Sequence, residues 1–72
     1  MQTVETISII VNGEPKTAPG GATVTQLLES LALRPGRVAI ERNLQILPRS
    51  EWATTQVASG DRYEIVQFVG GG

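Results

Sequence analysis

The sequence predicts an α+β two-layer domain, a mixed sheet of four to five strands packed on one helix. Three observations lead there. The chain has 72 residues, room for one domain. Only one segment carries a helical apolar stripe. The rest divides into short, β-prone runs bounded by Gly, Pro, Asn and Ser, so one helix has one sheet to cover.

Val4 to Val11 reads as the first strand, with Ile7, Ile9 and Val11 on one face and Ser8 and Ile10 on the other. Asn12-Gly13 follows, and both residues tolerate the positive φ of a type I′ turn. The chain then returns through Glu14-Pro15-Lys16-Thr17. Pro15 cannot donate to a ladder, so this second strand is expected to be short and at the sheet edge. Pro19-Gly20-Gly21 reads as a loop, and it lacks the lysine and the spacing of a phosphate-binding loop.

Thr23 to Leu33 is the helix. Thr23 and Gln26 have capping-box spacing, and Val24, Leu27, Leu28 and Leu31 form one stripe. Pro35-Gly36 is expected to stop it. Arg37 to Arg42 is a third strand, and Leu44 to Leu47, closed by Pro48, a short fourth. Ser50 is expected to cap a helical turn through Glu51, Trp52 and Ala53. After a turn at Ser59-Gly60-Asp61, Arg62 to Val69 is the most β-prone segment of the chain. This order is that of the β-grasp (ubiquitin-like) fold, in which the last strand lies parallel to the first; that pairing is analogy and does not follow from periodicity. The domain is assigned to residues 1–69, followed by a flexible glycine tail at 70–72.

Composition removes several classes of function. Cys and His are both absent, which excludes disulfides, thiolate metal sites and Ser-His or Cys-His nucleophile pairs. Six Lys+Arg balance seven Asp+Glu without a block of one sign, which argues against nucleic acid or an anionic membrane as partner. No apolar run approaches the ~18 residues of a membrane span, and the N-terminal residues do not resemble a secretory signal. A soluble, cytoplasmic protein with no bound cofactor is expected.

Gly70-Gly71-Gly72 does not read as packing, because glycine has no side chain to bury and loses the most backbone freedom on ordering. A thin segment behind a strong strand can thread a narrow tunnel and offer an unhindered carboxylate. Adenylation by ATP would turn that carboxylate into a mixed anhydride, from which a persulfide or sulfide could displace AMP to leave a thiocarboxylate. The alternative is a floppy terminus or an expression scar.

Further residues extend the pattern: Asn12-Gly13-Glu14; Thr23-Val24 with Leu27-Leu28; Val38-Ala39-Ile40-Glu41-Arg42-Asn43; Ile46-Leu47-Pro48-Arg49-Ser50-Glu51-Trp52; Gly60-Asp61; Glu64-Ile65-Val66; and Val69-Gly70-Gly71-Gly72. In this the chain resembles the ThiS sulfur carriers of bacterial thiamin biosynthesis over nearly its whole length. The Pro-Arg-Ser-Glu-Trp and Val-Gly-Gly-Gly runs are the specific parts. The lead before the first strand is longer than in the shortest members. The resemblance implies a carrier rather than an enzyme. A ThiF-type adenylyltransferase would activate Gly72 with ATP. A cysteine desulfurase or other persulfide donor would supply sulfur, and a ThiG-type thiazole synthase would receive it. In the family the last two glycines carry this role, and they correspond to Gly71 and Gly72. A carrier for molybdopterin or tRNA thiolation, a ubiquitin-like protein modifier, and an interaction domain with an inert tail are the other readings.

Alternation along the last strand turns Tyr63 and Ile65 toward the helix and Val66 and Phe68 away. With the first and last strands adjacent, Ile10, Val66 and Phe68 are expected to form an exposed apolar patch near Gly70 that docks both the activating enzyme and thiazole synthase. Trp52 reads as a satellite-core plug, and Arg49 as solvated surface charge, the alternative being a pair with Glu51 or with a partner's acid. Glu41 and Glu64 have the look of a carboxylate pair, but the sequence implies no pocket or substrate for them.

Overall fold

The computed structural model describes residues 5–68. Thr6–Val11 (β1) and Glu14–Pro19 (β2) form an antiparallel hairpin. Asn12 and Gly13 close it at φ 50° and 81°, the two positive angles that a type I′ turn requires. β2 lies at the sheet edge as expected, but it is as long as β1 and runs through Pro19, beyond the expected end at Thr17. An edge strand has one unpaired side, so a proline there does not have to break the ladder.

Val24–Ser30 (α1) starts at Thr23 with a complete capping box: the Gln26 N–H donates to Thr23 Oγ1 at 3.2 Å, and the Thr23 N–H donates to Gln26 Oε1 at 2.9 Å. Val24, Leu27 and Leu28 are buried, and Leu31 packs against the core from the helix end. The helix stops well before Pro35-Gly36. Ala32 takes φ 59°, the Leu33 N–H donates to Leu28 O, and the Ala32 N–H donates to Glu29 O. These are the two bonds of a Schellman cap, with alanine where glycine is usual. Pro35–Arg37 forms a 3₁₀ turn instead, so Arg37 precedes the third strand.

Val38–Arg42 (β3) and Gln45–Ile46 (β4) pair through a turn at Asn43 and Leu44, which have φ 52° and 72°. Leu44 therefore belongs to the turn and not to the fourth strand. A 3₁₀ turn at Arg49–Glu51 follows Pro48, and Ser50 sits inside it without capping it. Arg62–Gln67 (β5) completes a five-stranded sheet in the order β2-β1-β5-β3-β4, with β5 parallel to β1 and antiparallel to β3. Among the described residues no helix is long and apolar enough to cross a membrane.

One helix face and one sheet face enclose the core, which includes Ile9, Val11, Leu27, Leu28, Ile40 and Ile65. Each such side chain contributes roughly 1.5–3 kcal/mol by leaving water, which a domain this small needs. Trp52 belongs to this core and not to a satellite, and its Nε1–H donates to Leu47 O at 2.9 Å. Arg49 lies 5.9 Å over the indole ring rather than in an ion pair with Glu51, so its charged head covers the core's aromatic edge.

Candidate functional site

The helix covers one face of the sheet and leaves the other open. Register decides which residues meet there. Across β3 and β5, Ala39 stands opposite Val66 and Glu41 opposite Glu64; across β3 and β4, Glu41 stands opposite Ile46. Among the described residues four large apolar side chains stay exposed: Leu44 at 80%, Ile46 at 78%, Val66 at 59% and Phe68 at 54%. Val66, Ile46 and Ala39 therefore form an apolar floor in mid-sheet, and Phe68 extends it along β5 toward the C-terminal end.

Ile10 does not join this floor. It is half-buried and pairs with Arg62, at the start of β5. Val66 lies four residues further along, about 13 Å at ~3.3 Å per residue. The expected trio thus separates into Val66 with Phe68 and, in a different row, Ile10. Alternation gives the face a residue points to, but the stagger of a parallel pair comes from tertiary structure. Gly70, Gly71 and Gly72 lie outside the described residues. Phe68 follows β5 as the last described residue, and its N–H donates to Arg37 O at 2.7 Å. Beside it, Ala32, Leu33, Arg34 and Arg37 line a hollow of about 300 Å³, which sets two guanidinium groups near the last described residue.

The other end of β5 is anchored by a buried acid that the sequence showed only as part of a turn. Asp61 is 5% exposed. Its Oδ2 accepts from Tyr63 Oη at 2.8 Å, the Ala58 N–H at 2.9 Å and Arg42 Nε at 3.0 Å, and its Oδ1 accepts from Asn43 Nδ2 at 3.2 Å. Burial pushes the Asp61 carboxyl up, but these donors together outweigh it and hold the group below its ordinary range. Burial, and next the bond to Asp61, push the Tyr63 phenol up to about 12. Asn43 Oδ1 accepts from the Arg62 N–H, and Asn12 exchanges both bonds with the Ile65 backbone. β5 is therefore pinned on both flanks, and the strand that leads to the tail is a rigid base.

Glu41 and Glu64 are side by side on the open face. With Ala39, Ile40, Ile46 and Val66 they line a shallow groove of about 140 Å³, a hollow that the sequence did not imply. Among the described residues no three His, Cys, Asp or Glu side chains are grouped to hold a metal ion. What the described surface offers is a contact face that reaches the last described residue, Phe68.

A model of the ThiS family matches residues 9–72. The sulfur carrier protein ThiS of Escherichia coli (strain K12) is 36% identical over 66 residues, which cover 92% of this chain and 100% of that protein. A thiazole synthase of Paramagnetospirillum magneticum is 42% identical over 66 residues, and one of Magnetococcus marinus 38%; this chain spans only 20% of the length of either. The crystal structure of a thiamine biosynthesis protein (ThiS) from Geobacter metallireducens superposes with a TM-score of 0.78 at 35% identity, covering 92% of this chain and 100% of that one.

Proposed function

The chain belongs to the ThiS family, and from that premise we propose that it is the sulfur carrier for thiazole formation in thiamin biosynthesis. The observation that carries this reading is the match to a sulfur carrier over that protein's whole length, within a family match that runs through Gly72.

The chemistry proceeds at the Gly72 carboxylate. A partner adenylyltransferase joins it to AMP from ATP and releases pyrophosphate. The outer sulfur of a persulfide donor, a cysteine desulfurase or a related protein, then attacks the acyl carbon and AMP leaves, which exchanges the C–O bond to phosphate for C–S and gives an acyl persulfide. A thiol attacks the donor's sulfur, breaks the S–S bond and forms a disulfide with it, and the thiocarboxylate departs as the leaving group. The thiocarboxylate delivers its sulfur to thiazole synthase. The carrier is a co-substrate in these steps and contributes presentation: Asp61 and Asn12 hold β5, and β5 holds the tail. Gly70 and Gly71 pass through the partner's channel because they have no side chains. Docking falls to the open face, through Val66 and Phe68, with Ile10 at its far margin. The two thiazole synthases with a segment similar to this chain support the synthase as receiver. The cytoplasm, where ATP is available, is the compartment this chemistry needs.

Incubation with ATP, a ThiF-type adenylyltransferase and a sulfur donor tests the reading by intact mass. Exchange of one oxygen for sulfur, mapped to Gly72 by fragmentation, is the expected result. Conjugation to lysines of other proteins, or no change with active enzymes, would overturn it.

A further inference from the structure

The carrier chemistry gives no reason for two acids in the middle of the apolar floor. Glu41 and Glu64 are directly opposite on one face of an antiparallel pair, where Cβ atoms lie roughly 4.5–5.5 Å apart and like charges are destabilising. Among the described residues neither carboxylate has a cation within 4.0 Å; the ion pairs there are Glu14–Lys16 and Arg42–Asp61. Arg42, next to Glu41 in sequence, is turned to Asp61 and Tyr63. Arg62 stands one row away on the open face and bridges neither acid. The free domain thus holds an unbridged like-charge pair on the one face its helix leaves uncovered.

The surroundings say what bridges it. The groove between the acids has an apolar floor of Ala39, Ile46 and Val66 and a volume of about 140 Å³. That space suits one long unbranched side chain with a methylene stem and a cationic head. Of the two candidates, arginine has the planar fork of donors that can serve two carboxylates at once, and it sheds water more readily than lysine. We propose that the groove receives an arginine of the thiazole synthase, with its stem on Ala39, Ile46 and Val66 and its guanidinium shared by Glu41 and Glu64. This rests on the carrier reading above. The synthase is chosen because two thiazole synthases contain a segment similar to this chain, which places a related segment and a synthase in one polypeptide.

The acids then act oppositely on folding and on docking, a signature that a purely structural role does not produce. The test compares the parent with Glu41→Gln/Glu64→Gln and with Glu64→Lys. Urea titration reads the free carrier, and calorimetry with thiazole synthase and with the adenylyltransferase, each at two salt concentrations, reads docking. The double variant is expected to unfold at equal or higher urea, to bind the synthase at least about tenfold more weakly, and to lose much of the salt dependence of binding. Glu64→Lys is expected to bind more weakly still. Synthase affinity within about twofold of the parent, or a loss confined to the adenylyltransferase, would overturn the proposal. The carrier reading fails separately, when the parent acquires no thiocarboxylate at Gly72.

Discussion

Asp61→Asn is the most informative single change, because it keeps the shape of the side chain and removes only its charge and one acceptor. Three donors converge on Oδ2, so the new amide nitrogen is forced to the Oδ1 side, where Asn43 Nδ2 already points at 3.2 Å. Asn43 has no free flip to offer, because its Oδ1 accepts from the Arg62 N–H. Two donors therefore face each other in a buried site, and Arg42 loses its counter-ion. One buried donor without a partner costs about 1–3 kcal/mol, and breaking a buried pair about 3–5. Because Arg42 can still reach water, we take ~3 kcal/mol. A domain of this size has a total stability of roughly 4–10 kcal/mol and an unfolding entropy near 0.15 kcal/mol/K, so Tm should fall by roughly 20 °C. Thermal melts followed by Trp52, the one tryptophan in the chain and a buried one, read this directly. Acid supplies a second arm. The Asp61 pKa is lowered in the folded state, so its contribution is present above the unfolded value of ~3.9 and is lost as pH falls through the folded one. The gap between parent and variant should therefore narrow in strong acid. A variant that melts within about 3 °C of the parent at neutral pH, or a gap that is constant with pH, would refute the reasoning.

Other consequences follow from particular residues. Ala32→Gly should raise stability by about 1 kcal/mol in urea titrations, since Ala32 holds φ 59° at a helix cap where glycine carries no Cβ penalty; a loss of stability would contradict the Schellman assignment. Tyr63 is the one tyrosine and has its pKa raised from 10.0 to about 12, so stability is intact below pH ~10 and falls by roughly 3 kcal/mol as pH climbs from 10 to 12. Phenolate absorbance should then appear together with unfolding, and ionisation near pH 10 in a folded domain would count against the buried network. Phe68→Asp should leave Tm within a few degrees and weaken both partners by calorimetry, because its side chain is half exposed at the tail end of β5; unchanged affinity would remove it from the docking face.

What the sequence made legible is what depends on neighbours in the chain. Asn12-Gly13 sets its own turn, Thr23 and Gln26 set their own cap, and alternation orients Tyr63, Ile65, Val66 and Phe68 correctly. The failures involve longer range. The helix ends at an alanine in a left-handed conformation, a stop for which no residue type gives a signal. Asp61 gathers donors from Arg42 and Asn43 in a different strand and turn, so its burial is invisible to composition. Ile10 falls out of the floor through the parallel stagger of β1 and β5, while Ile46 joins it across β3, which no period of two can show. Of the site, the open face was foreseen in orientation but not in membership, and the groove between Glu41 and Glu64 was not foreseen.

The central claim is that Gly72 carries sulfur to a thiazole, and following the sulfur atom tests it most directly. The carrier is loaded with isotopically labelled sulfur, freed of donor and activating enzyme, and mixed with thiazole synthase and its substrates in a single turnover. The account predicts that the label leaves Gly72 and appears in the thiazole ring with equal stoichiometry. Label that stays on the carrier while unlabelled thiazole forms, or that moves only to another acceptor such as a pterin or tRNA, would contradict it.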